Sequence, residues 1–212
     1  MAGDAGGGVA HPGTGKVNPL AAGLTRLRQA VAQGDDAAAE AAVQALLQDP
    51  QAALLPLLRL AQEEDPDLRW WAVRALAEIR HPQVPPRLHA ALHDPDAGVR
   101  QAAALGLRLQ PTPAAVDDLV ALLAGADRLL ARLAADALIA IGPPAVPALI
   151  QALAEGHPHG RVPAARALAA IGDPRAIPTL FALLDDPSPL ATAYAEEGLE
   201  RLGIGMVFFS AN

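Results

Sequence analysis

Apolar residues in this chain recur at helical spacing within short segments and at a much longer period between them. Leu58, Leu88, Leu119, Leu149 and Leu180 are separated by 30, 31, 30 and 31 residues. A second series, Leu76, Leu107, Leu138, Leu168 and Leu199, is separated by 31, 31, 30 and 31. Two ladders sharing one period mark an internal repeat rather than a set of unrelated helices. Small residues accompany the second ladder. Ala72, Ala103, Ala134, Ala164 and Ala195 stand four positions before its leucines, and Ala75, Gly106, Ala137, Ala167 and Gly198 stand one before. Small side chains at fixed positions let a neighbouring helix pack close.

Each unit reads as two helices. The first, as in Ala145 to Leu153 or Ala176 to Leu184, carries a proline near its first turn, where the missing N–H costs nothing. Pro56, Pro86, Asp117, Pro147 and Pro178 precede the first ladder by two positions. A turn rich in Asp, Pro and Gly follows, clearest at Asp94-Pro95-Asp96 and Asp186-Pro187-Ser188, where Asp or Ser can accept a hydrogen bond from the next helix. The second helix runs to a stop at Gly142-Pro143, Gly172-Asp173-Pro174 or Gly203. The pattern predicts an all-α solenoid of about six helix pairs over 18–203: a weaker pair at 18–50, with Leu27 in register, acting as a cap, then five repeats. Residues 1–17 read as a flexible Gly/Ala-rich tail, and 204–212 as an apolar, charge-free extension. That extension is expected to fold over the open end of the last repeat, or to offer a surface for self-association.

Composition narrows the functions. Hydrophobic residues make up 52% and aromatics 3%, so the core is built from Ala, Leu and Val. Cysteine is absent, which removes thiolate chemistry and any acceptor thiol for a covalently attached cofactor. The net charge is −7, with Lys16 the single lysine, which argues against a phosphate-tracking nucleic-acid surface. No run of eighteen apolar residues is present and the first fifteen residues have no apolar core of signal-peptide type, so a cytoplasmic protein is expected, with no membrane span.

The segments Asp94-Pro95-Asp96-Ala97-Gly98-Val99-Arg100 and Ala167-Leu168-Ala169-Ala170-Ile171-Gly172-Asp173-Pro174-Arg175-Ala176-Ile177-Pro178 resemble the turn and inter-repeat linker of the HEAT-like repeats named after phycobilisome lyases. The resemblance covers roughly residues 51–203 and departs at Ala131 and Thr192, in the family's arginine position, and at Asp117, in its proline position. It implies a right-handed solenoid whose second helices line the concave face. It also implies that Arg69, Arg100 and Arg161 form a structural ladder with turn aspartates rather than a ligand site.

Residues beside that ladder on the second helices are the candidates for partner binding: Trp70, Trp71, Arg74, Glu78, Arg132, Asp136, Arg166, Tyr194, Glu197 and Arg201. Aromatic and arginine side chains bury area at modest entropy cost and make directed contacts, which is why they anchor interfaces. The alternative is that one tryptophan is core and the rest an ordinary solvated face. His89 and His93, one helical turn apart, are the metal candidates by spacing. No glutamate follows either histidine, so the His-Glu signatures of the deoxyhypusine hydroxylase branch are missing and no metal is assigned. His157 and His159 read as loop residues. Gly13-Thr14-Gly15-Lys16 lacks the glycine of a phosphate-binding loop, position 10 being Ala10. Paired carboxylates such as Asp35-Asp36, Asp117-Asp118 and Asp185-Asp186 fall at helix starts or turns and suggest no acid–base set.

No catalytic residue and no cofactor is expected. The leading expectation is a non-enzymatic scaffold that takes a protein or peptide on its concave face. A bilin lyase or assembly factor is the alternative implied by the resemblance, with arginines neutralising propionates. A DNA glycosylase of HEAT-like type, using Trp70 or Trp71 with Asp136, is the remote one.

Overall fold

The computed structural model describes residues 18–204, all of whose regular structure is helical. The expected tail at 1–17 and the extension beyond Ile204 lie outside the described residues. Tertiary contacts divide the chain into two units, residues 1–46 and 47–212. Within the first, α1 (Pro19–Gln33) packs on α2 (Asp36–Leu46). Asn18 caps α1, and Gly34, at φ 65°, turns the chain between the two helices. Leu46 covers Gly23 so closely that an added Cβ would stand 2.7 Å from it.

The second unit contains five pairs: α3 (Pro50–Leu60) with α4 (Pro66–Glu78), α5 (Val84–Ala91) with α6 (Ala97–Leu109), α7 (Val116–Leu123) with α8 (Arg128–Ile141), α9 (Val146–Glu155) with α10 (Pro158–Ile171), and α11 (Ile177–Leu183) with α12 (Pro189–Arg201). Single 3₁₀ turns open the way into α7, α9 and α11. Second helices begin where the sequence supplies an acceptor. Asp65, Asp96, Asp127 and Ser188 accept from backbone N–H groups in the first turns of α4, α6, α8 and α12. His157, before α10, makes no such bond. α8, α10 and α12 stop at glycines with positive φ, Gly142 at 76°, Gly172 at 65° and Gly203 at 78°, a conformation that other residues adopt only with strain, whereas α4 and α6 end at Ile79 and Gln110 with negative φ.

The leucine ladders form the core. Leu76, Leu107, Leu138 and Leu168 are fully buried and Leu199 nearly so, as are Leu88, Leu119, Leu149 and Leu180 of the first helices. Each buried leucine contributes on the order of 2 kcal/mol relative to exposure. One rung is corrected. At this rung of α3 the fully buried leucine is Leu57, not Leu58, which is half-buried. The matching residue of the first unit is Leu27, 30 positions earlier. The proline pattern misplaced this rung: α3 starts at Pro50 behind the capping Asp49, so Pro56 lies inside the helix, whereas Pro86, Pro147 and Pro178 lie in first turns.

The small-residue positions are where second helices meet. A Cβ on Gly106 would stand 3.0 Å from Leu88 and 3.1 Å from Ala77, and one on Gly198 2.9 Å from Leu180 and 3.0 Å from the Ala169 backbone. In both cases the contacts come from the partner first helix and from the preceding second helix. Consecutive second helices therefore pack closely along the whole unit, while first helices approach one another less. A double layer that is tighter on one side curves toward that side, so α4, α6, α8, α10 and α12 line the inner face of this unit.

Candidate binding face

Among the described residues, two concavities stand out on the row of second helices. The first is an apolar groove of 330 Å³ across α4, α6 and α8, lined by Trp70, Arg74, Ala77, Glu78, Gln101, Ala102, Leu105, Gly106, Leu109 and Leu133. The second, of 530 Å³, crosses α8, α10 and α12 and is lined by Arg128, Ala131, Arg132, His159, Val162, Arg166, Leu190 and Tyr194, with Leu123, Gly125, Pro158 and Pro163. Arg132 of one and Leu133 of the other are adjacent on α8, so the two sites meet there.

The sequence-nominated residues divide between these sites. Trp70, Arg74 and Glu78 line the groove; Arg132, Arg166 and Tyr194 line the pocket. Trp71 does neither: it is 6% exposed and belongs to the core. It stands edge-on to Trp70, ring centroids 4.8 Å apart, and the Arg74 guanidinium sits 5.2 Å from the Trp71 ring and 5.8 Å from Trp70. That stack fixes the half-buried Trp70, whose indole also packs beside Gly98. Asp136 is committed to Arg166 at 2.5 Å, tying α8 to α10, and lines neither site with a tryptophan as the glycosylase comparison requires. Glu197 and Arg201 pair with each other at 2.9 Å on the exposed side of α12.

Several lining residues escaped the sequence reading. Leu105 and Leu109 of the groove are 42% and 47% exposed, and Leu190 of the pocket also stands out from the surface. Leu105 stands in the repeat register of Arg74, Asp136, Arg166 and Glu197, and Leu109 in that of Glu78 and Arg201, so the register that places the polar candidates also places these two leucines on the same face. Arg128 has no arginine counterpart in the other copies, and neither it nor Arg132 holds an ion pair among the described residues. With Arg166 they make the pocket cationic.

The arginine ladder is present but uneven. Arg69 donates Nη1 to the Glu63 and Glu64 carbonyls and forks onto Asp94 with Nε and Nη2, both at 2.8 Å. Hydrogen bonding to Asp94 raises the Arg69 pKa further. Burial works against ionisation of Asp94, yet the Arg69 fork, the Asp96 N–H and the Arg69 and Arg87 charges outweigh it and hold this carboxyl below its usual range. Arg161 meets Asp186 at 3.3 Å. Arg100 repeats only the carbonyl half of the pattern, to Asp94 and Pro95, because the position facing it is Gly125. Thr192 stands in for arginine with its hydroxyl beside the Leu183, Asp186 and Ser188 carbonyls. Two further polar ties were not foreseen. The buried Gln110 amide donates to carbonyls at the end of α4, 2.8 Å to Ala77 and 3.0 Å to Ile79, and Arg87 donates to the Ala61 carbonyl behind α3.

On the first-helix side, His89 and His93 both turn toward Asp118 of α7, at 2.5 and 3.2 Å. The His89 hydrogen bond above all, opposed by some desolvation, holds the Asp118 carboxyl below its usual range. Among the described residues no single helix is long and apolar enough to cross a membrane.

No curated protein matches the chain at a level that shows a relationship. Among solved structures, it is similar to the complex of CpcE and CpcF of phycocyanin lyase from Nostoc sp. PCC7120, at 26% identity and a TM-score of 0.53. That match covers 69% of this chain and 63% of the other, so the chain spans less than two thirds of that relative's length. An engineered protein matches at 23% identity, TM-score 0.57, over 88% of this chain and 99% of the other. A designed armadillo repeat protein in complex with a (KR)4 peptide matches at 18%, TM-score 0.56, over 87% and 100%. The family model for HEAT repeats matches residues 24–108, 54–139 and 116–200, overlapping spans that together run through the five pairs of the second unit. With helix pairs at a period of 30 or 31 residues, buried leucine ladders and a row of closely packed second helices, the chain belongs to the HEAT-repeat family.

Proposed function

We propose that the protein is a non-enzymatic adaptor that binds an extended segment of another protein along its second helices, apolar side chains entering the Trp70 groove and a carboxylate entering the arginine pocket. The observation that carries this reading is the adjacency of the two sites on α8: an apolar groove with Leu105 and Leu109 exposed in it, continued by a pocket where Arg128, Arg132 and Arg166 converge. Apolar contacts supply area and the arginines supply direction, since a guanidinium fork matches a carboxylate. The protein's own net charge of −7 makes such a cationic pocket a local exception that an acidic segment would find.

A displayed peptide library panned on the chain tests this. Selected peptides should pair apolar residues with Asp or Glu, and Trp70→Ala and Arg132→Ala should each weaken them by about tenfold or more. With Trp71→Phe as background, fluorescence of Trp70 should shift on binding. Peptides that bind both alanine variants as tightly as the wild type would remove the proposal.

Similarity to the phycocyanin lyase complex supports a second reading, in which the arginine pocket takes the propionates of a bilin during assembly, the acceptor thiol being on another protein. Incubation with a free bilin distinguishes the two: a red-shifted, Arg132-dependent absorbance would favour it, and an unchanged spectrum would discard it.

A further inference from the structure

We infer that His89, His93 and Asp118 form a binding site for one late first-row divalent cation, with Zn²⁺ the natural occupant, that clamps two consecutive repeats on the side opposite the binding face. His89 lies in the last turn of α5, His93 one turn further on, and Asp118 in the first turn of α7, so the three side chains join the first helices of adjacent repeats. The Nε2 atoms stand 2.5 and 3.2 Å from the same Asp118 oxygen, and one donor atom from each residue lies within 4.8 Å of the others. Zinc bonds of about 2.0–2.2 Å in a tetrahedral site set donor atoms about 3.3 Å apart. The His93 pair already has that separation, and His89 needs to open by about 0.8 Å to reach it.

The donor set selects the ion. Two imidazoles and one carboxylate suit Zn²⁺, Co²⁺, Ni²⁺ or Cu²⁺, whereas Ca²⁺ and Mg²⁺ require shells of oxygen. Three protein donors leave a position for water. The location gives the site a purpose: first helices approach one another little, and at this junction Arg100 faces Gly125 and finds no carboxylate to fork onto. An ion held by α5 and α7 would reinforce on the outer layer a junction whose inner layer has the Gln101–Asp127 hydrogen bond in place of an arginine fork.

Zinc chloride titrated into the full chain, followed by calorimetry and by thermal unfolding, tests the inference. The wild type should bind one equivalent and unfold at a higher temperature with zinc than without. His93→Ala and Asp118→Asn should each weaken binding by about tenfold or more and abolish the shift in Tm. His93 has a side chain 65% exposed, so its removal leaves the fold intact, which circular dichroism without metal verifies. A His157→Ala, His159→Ala double variant should bind zinc as the wild type does. Absence of saturable binding up to about 1 mM zinc, equal affinity in the His93 and Asp118 variants, or loss only in the His157 and His159 variant would each overturn it.

Discussion

The junction between α3/α4 and α5/α6 and the junction between α7/α8 and α9/α10 are built from the same kinds of helix in the same order, yet one is stitched and the other is open. At the first, Arg69 forks onto Asp94, Gln110 gathers the carbonyls at the end of α4, and Arg87 reaches the end of α3. At the second, the arginine position is Ala131 and the position facing it, 25 residues on, is Gly156. Gly125 and Ala131 both line the 530 Å³ pocket. Where the repeat loses its arginine-to-turn fork it gains room: Asp136–Arg166 still ties α8 to α10, while Arg128 and Arg132 carry no ion pair among the described residues. In a solenoid each unit is stabilised by its neighbours, so a loosened junction can be carried by tight ones beside it. Departures from the repeat are therefore the places to look for binding.

The comparison breaks most visibly at Arg69. Arg69→Ala leaves Asp94, whose side chain is 8% exposed, without its partner and two turn carbonyls without a donor. Removing one member of a buried pair costs on the order of 3 kcal/mol. Arg161→Ala, at a pair with side-chain exposures of 27% and 9% and a single 3.3 Å contact, should cost about 1 kcal/mol or less. Urea unfolding of the two variants measures the contrast; equal losses would mean that the fork adds nothing to the stitched junction.

Next in size is Gln110→Ala. Gln110 is the one polar residue buried as a whole among the described residues, and its loss strips donors from the Ala77 and Ile79 carbonyls. Leaving buried acceptors unsatisfied costs about 1–3 kcal/mol. A midpoint shift in urea with an unchanged slope would place the loss in the folded state.

These residues also show what was legible beforehand. The period, the pairing of helices and the small-residue contacts could be read because each depends on one residue type recurring at one position. The arginine ladder and its exceptions at Ala131 and Thr192 came from the family resemblance, which did not foresee that Arg100 meets only carbonyls. Leu57 was misplaced by one because a proline inside α3 imitated the prolines that begin other helices. Trp70 and Trp71 are neighbours on one helix, and only the packing of α6 against α4 decides which is core. Gln110, Arg128 and Asp118 occur once each and act across repeats, so no period could announce them.

The stitched junction should also be sensitive to acid. Because the folded-state pKa of Asp94 is depressed, its stabilisation is present above the unfolded value and is lost as pH falls through the folded one. The difference in stability between wild type and Asp94→Asn should thus stay level from neutral pH down to about 5 and close below about 4. A gap that persisted to pH 2 would show that Asp94 acts through shape or hydrogen bonding rather than charge.

The smallest effect is the most informative, because it attempts to convert one kind of junction into the other. Arg100 already places Nη1 on the Asp94 and Pro95 carbonyls, as Arg69 places its own on Glu63 and Glu64. Its Nε and Nη2 have no carboxylate among the described residues, and Gly125 occupies the position equivalent to Asp94, 25 residues on. Gly125→Asp should complete the fork. A Cβ there meets only the Leu122 carbonyl oxygen at 3.2 Å, a contact relieved by a small shift of the exposed turn. The gain should be about 0.5–1 kcal/mol, the size of a favourable surface ion pair. Since Gly125 also lines the arginine pocket, the same change should weaken any carboxylate bound there while leaving the Trp70 groove untouched. Stability that rises while acidic-peptide binding falls would show that this junction is open at the expense of a tie the fold could have made; stability that rises with binding unchanged would show that the missing carboxylate and the pocket are unrelated.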